Sequence, residues 1–316
     1  MSNTLEQFAV VFPGQGSQSV GMMTSFGDDA AVRETFAEAS EVLGQDLWQL
    51  VADGPVELLG QTINTQPVML TAGIAVWRAW LARGGVRPAL VAGHSLGEYA
   101  ALVAAGAIEF AEAVKLVRFR AQVMQEAVPV GEGGMAAILN LAPELVIEAC
   151  AEAAQGQIVA PANMNSPVQI VIAGHAAAVE RAMEACKARG AKRAVSLPVS
   201  APFHSALMKP AAERLAERLA AVTITEPEIA VLNNVDVKTE TSPAAIRDAL
   251  VRQAYSPVRW IESVEAMGAR GIRTVCEFGP GKVLAGLVKR INGELAVEAV
   301  TDAEALLRVR EQISSV

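Results

Sequence analysis

The chain has 316 residues, of which 52% are hydrophobic and 19% charged, which supplies apolar material for a large core with a smaller unit attached and excludes a disordered chain. Its 26 basic against 34 acidic residues give a formal net charge of -8, which argues against general binding to nucleic acid or an anionic membrane and leaves room for a local basic patch. The three cysteines, Cys150, Cys186 and Cys276, lie far apart with no CxxC pair, so neither a disulfide framework nor a metal site is expected.

Met1 to Gln7 is polar and lacks the basic start and apolar run of a secretory signal. No apolar stretch reaches the roughly 18 residues that span a bilayer, so a cytoplasmic protein is expected. Phe8 to Phe12 (FAVVF) reads as a buried strand stopped by Pro13 and Gly14. The loop Phe12 to Gln18 that follows lacks the GxGxxG spacing of a dinucleotide site and the Lys-Ser/Thr ending of a P-loop. Its glycines let backbone N–H groups approach a ligand, and a plain tight turn would read the same. Pro88 to Gly93 is a second strand, followed by a helix from Gly97 to about Ala107. Strands alternating with helices predict an α/β fold with a sheet covered on both faces.

The middle of the chain changes pattern. Met135 to Leu139 reads as strand, Pro143 to Ala154 as helix, and Ile158 to Ala162 and Val168 to Ala173 as strands joined by a turn at Asn163 to Pro167. Ala176 to Arg189 is helical up to Gly190, and Ala194 to Val199 is strand-like. The order β-α-β-β-α-β is that of the ferredoxin-like split motif. It predicts a small inserted domain over 132–198 within a large α/β domain formed by 1–131 and 199–316. Ile229 to Leu232 and Thr274 to Phe278 return to the large domain as strands, and Gly279-Pro280-Gly281 opens another helix.

Gly93-His94-Ser95-Leu96-Gly97 is a G-x-S-x-G sequence between a predicted strand and a predicted helix. That turn needs small neighbours, lifts the serine hydroxyl out of the sheet and aims the free N–H groups of the new helix at it. Ser95 is therefore the candidate nucleophile, with the N–H of Leu96 helping to hold an oxyanion; an ordinary serine in a glycine-rich turn is the alternative. A serine needs a base, and the chain has three histidines. His94 adjoins Ser95 and its side chain is expected to point the other way. His175 opens a small-domain helix, leaving His204, in Val199-Ser200-Ala201-Pro202-Phe203-His204-Ser205, as the base. No acidic residue near it in sequence orients its ring. On the helix after the elbow, Ala113, Leu116, Val117, Ala121, Val123 and Met124 share one side, and Arg120 falls among them. An arginine there either snorkels to the surface or pairs with something anionic, such as an acyl group bearing a carboxylate.

Taken together, VFPGQGSQ (11–18), GHSLGEY (93–99), the Arg120 helix, NMNSPVQ (163–169), SAPFHSALM (200–208), LNNVDVK (232–238), QAYSPVRW (253–260) and EFGPGKVL (277–284) resemble the malonyl-CoA:acyl-carrier-protein transacylases of fatty acid synthesis, over about residues 8 to 290. The resemblance implies a hydrolase-like large domain with a nucleophile elbow and a ferredoxin-like insertion, in agreement with the pattern read above. It implies Ser95 as the acylated serine, His204 as its base and Arg120 as the ligand of the malonyl carboxylate. It further implies Gln15 and Leu96 as oxyanion N–H donors, and the main-chain carbonyl of Gln253 as the group that orients the histidine. The expected partners are malonyl-CoA and acyl carrier protein. No cofactor beyond the coenzyme A of the substrate is implied, and a monomer is the family expectation. Phe203, bulky before the histidine, goes in related polyketide acyltransferases with malonyl over methylmalonyl units. Lys187, Arg189, Lys192 and Arg193, around Gly190, form a candidate basic docking patch for an acidic carrier protein, or simply a solvated helix end. Competing readings are a serine thioesterase or esterase, a trans-acting acyltransferase of a polyketide pathway, and a noncatalytic carrier-protein or acyl-CoA binding module.

Overall fold

Nine strands lie among the described residues of the computed structural model: β1 (Phe8–Phe12), β2 (Leu90–Gly93), β3 (Gly133–Leu139), β4 (Val159–Ser166), β5 (Gln169–His175), β6 (Arg193–Ser196), β7 (Ala230–Leu232), β8 (Thr274–Phe278) and β9 (Ala296–Val300). The structure describes residues 7–199 and 201–314. Met1 to Glu6 of the polar N-terminal stretch, and Ser200 of the loop before His204, lie outside the described residues.

β7, β2, β1, β8 and β9 form one sheet in that order, with every neighbouring pair parallel. Successive side chains of a strand point to opposite faces, and both faces here are covered. Val10, Phe12, Cys276 and Phe278 enter one core cluster, while Ala9, Val11, Ala92 and Val275 enter another. That is why these strands read as unbroken apolar runs rather than alternating ones. Each fully buried Val or Phe among them contributes about 1.5–3 kcal/mol. Helices Thr62–Ala82, Gly97–Ala104 and Phe110–Glu126 bury residues in the first cluster, and Trp260–Ala269 and Val283–Ile291 in the second. No helix among the described residues is long and apolar enough to cross a membrane.

β4, β5, β3 and β6 form a separate antiparallel sheet in that order. Helices Pro143–Ala154 and Ala176–Ala188 close its own core of Ile138, Val146, Ile170, Ile172 and Val179. β4 of this sheet is bonded to the chain before the helix Trp260–Ala269: the Met164 N–H donates to the Val258 carbonyl and the Val258 N–H to the Ala162 carbonyl, each at 2.9 Å.

Four local expectations change. Asn163 to Ser166 is strand rather than turn, and only Pro167-Val168 joins β4 to β5. Its asparagines are polar because the strand borders the cavity described below. β6 ends at Ser196, so Leu197 and Val199 leave the sheet to line that cavity. The helix after Ser95 stops at Ala104, where Gly106 turns the chain with φ 72°. The helix after Gly279-Pro280-Gly281 starts at Val283. β9 and the 21-residue helix Thr62–Ala82 are additions to the predicted elements.

Candidate active site

β2 delivers Ser95 into a left-handed backbone conformation, φ 53°, directly before the helix Gly97–Ala104. The flanking glycines are required by contact. A Cβ on Gly93 would stand 1.8 Å from the carbonyl carbon of Gly97, and one on Gly97 would stand 2.0 Å from the carbonyl oxygen of Phe12. The Ser95 N–H donates to Asn234 Oδ1 at 2.7 Å, and Asn234 Nδ2 donates to the Gly93 carbonyl at 2.7 Å. A loop far along the chain thereby clamps both sides of the turn.

His204, also left-handed at φ 59°, brings Nε2 to 2.7 Å from Ser95 Oγ. Its Nδ1 lies 2.8 Å from the carbonyl oxygen of Gln253, the last residue of the helix Pro243–Gln253. A carbonyl only accepts, so Nδ1 carries the hydrogen and Nε2 turns a lone pair to the serine hydroxyl. Burial, and after it the charge of Arg120, push His204 down to about 3. The ring is therefore neutral near pH 7, so the Nε2 lone pair is available to the serine hydroxyl.

Arg120 does not snorkel: it is 1% exposed. Nη1 donates to Gln66 Oε1 at 2.8 Å, and Nη2 donates to Gln253 Oε1 at 3.0 Å and to Ser95 Oγ at 3.3 Å. Among the described residues no carboxylate pairs with it, and its Nε has no hydrogen-bond partner. Each Nη carries two hydrogens. The glutamine oxygens take one from each, leaving one on each for a ligand, that of Nη2 now resting on the serine. Its hydrogen-bond partners are neutral and Glu98 reaches it only across the Gln253 amide; a buried cation held this way is costly unless an anion pairs with it.

Gln15, Leu96, Arg120, Phe203 and His204 line one cavity around Ser95, together with Asn163. The Gln15 side chain is tied back to Thr62 Oγ1 at 3.3 Å, and Leu96 precedes the first turn of the Gly97–Ala104 helix. All six residues singled out from the sequence, Ser95, His204, Arg120, Gln15, Leu96 and Gln253, are thus brought together. His94 makes no bond to Ser95 and is one of the residues lining the cavity, with Nε2 2.7 Å from Asn165 Oδ1. His175 stands apart, where Nδ1 accepts the Ile158 N–H at 2.9 Å. In the basic patch, Lys187 pairs with Glu184 and Arg189 with Glu152, which leaves Lys192 and Arg193 without an ion pair among the described residues. Gln66, Glu98 and Asn234 carry much of the site's bonding and had no predicted role. Glu98 and Asn234 lie inside motifs quoted for the resemblance, and only their partners' positions give them meaning.

An imidazole that can strip a serine hydroxyl, next to a buried cation waiting for an anion, is suited to moving an acyl group through a serine ester, the chemistry of an acyltransferase. The acyl transferase domain family model matches residues 9–309. The malonyl CoA-acyl carrier protein transacylase of Salmonella typhimurium is 59% identical over 303 residues, 96% of this chain and 98% of the relative. The crystal structure of an acyl carrier protein S-malonyltransferase from Vibrio cholerae is similar with a TM-score of 0.94 at 58% identity, covering 96% of this chain and 99% of that one. A structure described as a type II PKS acyl-carrier protein in complex with its malonyl-transacylase gives 0.96 at 55% identity, covering 97% of this chain and 99% of that one. The chain belongs to the acyl transferase family, in the malonyl CoA-acyl carrier protein transacylase branch.

Proposed function

We propose that this enzyme moves the malonyl group from malonyl-CoA to the phosphopantetheine thiol of acyl carrier protein for fatty acid synthesis, through a malonyl ester on Ser95. The observation that carries the reading is the buried guanidinium of Arg120, free of any carboxylate among the described residues and 3.3 Å from Ser95 Oγ. His204 Nε2 takes the hydroxyl proton as Oγ attacks the thioester carbonyl, and the oxyanion is held by the N–H groups of Gln15 and Leu96. Collapse expels coenzyme A, whose thiolate takes the proton back from His204. The carrier thiol then gives its proton to His204 and attacks the ester; Ser95 Oγ leaves and takes that proton back from Nε2, restoring both residues. The Gln253 carbonyl keeps a hydrogen on Nδ1 throughout. Arg120 fixes the malonyl carboxylate in both half-reactions, and acetyl-CoA would leave that cation unsatisfied.

The large domain, 1–131 with 199–316, is read as hydrolase-like around a nucleophile elbow, and 132–198 as a ferredoxin-like insertion. The strand order β4-β5-β3-β6 and the serine's position between β2 and its helix support that reading. The enzyme is read as a cytoplasmic monomer that binds neither nucleic acid nor membrane and uses no cofactor beyond the coenzyme A of its substrate. Lys192 and Arg193 remain candidates for meeting the acidic carrier. A polyketide carrier as acceptor is supported by one observation, the relative at 55% identity in complex with such a carrier.

The test is intact and peptide mass after seconds with malonyl-CoA, with acetyl-CoA and Ser95→Ala alongside. A malonyl adduct on the Ser95 peptide, absent from both controls, is expected. Free malonate and coenzyme A without an adduct would point to a hydrolase, and neither adduct nor turnover to a binding module. Initial rates with fatty-acid and polyketide carriers decide the acceptor.

A further inference from the structure

We propose that Glu98 is a positioning residue for acyl-group selectivity: acting through the side-chain amide of Gln253, its carboxylate holds Arg120 in the orientation that receives the acyl carboxylate. This rests on the reading of Arg120 as the carboxylate clamp. Glu98 lies in the first turn of the helix after Ser95 and is 2% exposed. Its Oε2 accepts the Asn234 N–H at 2.8 Å and Gln253 Nε2 at 3.0 Å. The other Nε2 hydrogen of Gln253 goes to the Ser95 carbonyl at 3.0 Å, and Gln253 Oε1 accepts from Arg120 Nη2 at 3.0 Å.

Chemistry fixes the sense of this chain of bonds. A guanidinium only donates, so the amide oxygen must face it; a carbonyl and a carboxylate oxygen accept, so both amide hydrogens must face them. Glu98 is thus half of what prevents the Gln253 amide from turning over and setting its NH2 group against Arg120. Burial pushes Glu98 up to about 7, while the bonds from Gln253 and the Asn234 N–H and the charge of Arg120 act to lower it. The base is held differently. His204 takes its orientation from the Gln253 main chain, which belongs to a helix and does not depend on the amide. Loss of Glu98 should therefore damage the clamp more than the nucleophile and base.

The acylation rate is measured with malonyl-CoA and acetyl-CoA for Glu98→Ala, Glu98→Gln, Gln253→Met, the Glu98→Ala/Gln253→Met double variant and Arg120→Met, with thermal melts in parallel. Glu98→Ala is expected to lower the malonyl-to-acetyl ratio of kcat/KM on the order of tenfold, one charged hydrogen bond's worth. Glu98→Gln, which keeps an acceptor oxygen for Gln253, restores the ratio to near wild type. Gln253→Met lowers it as Glu98→Ala does, and the double variant falls no further than either, because both act on one bond. An equal loss for both substrates in Glu98→Ala, a Glu98→Gln variant as poor as Glu98→Ala, or additive losses in the double variant would each overturn the proposal. If Glu98→Ala fails to fold, Gln253→Met with an unchanged ratio overturns it as well. An unchanged ratio in Arg120→Met would instead refute the clamp reading, whereas a collapse there with none in Glu98→Ala or Gln253→Met would refute only the role of Glu98.

Discussion

Arg120→Met removes the cation while keeping a side chain of similar length in the apolar face of its helix. In the native site one hydrogen on each Nη is available to a ligand, one of them now on Ser95 Oγ. A malonyl carboxylate taking both would make two charge-assisted bonds of about 1.5–3 kcal/mol each, hence roughly 3–6 kcal/mol and on the order of 10²- to 10⁴-fold in kcat/KM. An acetyl group makes neither bond, so its slow rate should change little or rise, since a buried charge beside it is gone. Stability has two opposed contributions. Methionine relieves the burial of a charge, but Gln66 Oε1 and Gln253 Oε1 each lose a donor at about 1–3 kcal/mol. The assay is the burst of serine acylation with each thioester, read by mass, followed by steady-state transfer to carrier protein, with a melt to show that the variant is folded. A folded Arg120→Met protein in which malonyl and acetyl transfer fall by the same factor, or in which malonyl transfer falls less than tenfold, would refute the carboxylate clamp.

His204, depressed from 6.5 to about 3, binds fewer protons in the native than in the unfolded state between those values. Its contribution to stability is therefore fully present above pH 6.5 and lost as pH falls through that window. An NMR titration of the three imidazoles is expected to keep the His204 ring neutral below pH 5, and a midpoint near 6.5 would contradict its burial. Phe203 is buried on the wall of the cavity around Ser95, and the proposed function makes it the expected steric limit on the acyl α-carbon. Phe203→Ser is expected to raise the methylmalonyl-to-malonyl ratio of kcat/KM several-fold, and competition between the two thioesters measures it. Gly286 lies inside the helix Val283–Ile291 and a Cβ there would meet nothing within 4 Å. Gly286→Ala should stabilise the protein by about 0.5–1 kcal/mol with no change in kinetics, as a denaturant titration would detect.

What was legible in the sequence follows a physical division. β8 and the helix Pro143–Ala154 agree residue for residue with their expected bounds, because β8 is stopped by Gly279 and the helix opens on Pro143. Ser95 was legible because its strained turn demands glycines on both sides within five residues. Arg120 stood out against an otherwise apolar helix face. β9 escaped because AVEAV, half-exposed at the sheet edge, has neither clean alternation nor a continuous apolar run. The asparagines of β4 misled for a different reason. Asn usually marks a turn, but here Asn163 and Asn165 are buried, Asn163 on the cavity wall and Asn165 with its Oδ1 at the His94 ring. Gln66 hides in a helix buried along most of its length, where one glutamine has no periodic signature.

The residues that escaped local reading are those that hold the reactive pair in place. Ser95 and His204 both occupy left-handed backbone, which costs a non-glycine residue about 1–3 kcal/mol and persists only where the surroundings over-determine it. Those surroundings come from far along the chain: Asn234 bonds to Glu98 across 136 residues, and Gln253 to the Ser95 carbonyl across 158. Asn234 grips the backbone on either side of His94. Gln253 touches the Ser95 carbonyl, the His204 ring and the Arg120 guanidinium at once, with its main chain and its side chain making different bonds. A motif scan finds Ser95 because the cost of its turn is met by neighbours in sequence. It does not find Glu98, Asn234 or Gln66, because the partners that give them a role are set by the parallel sheet and the helices on its faces. The reactive groups could therefore be read locally, whereas the geometry that makes them reactive required the fold.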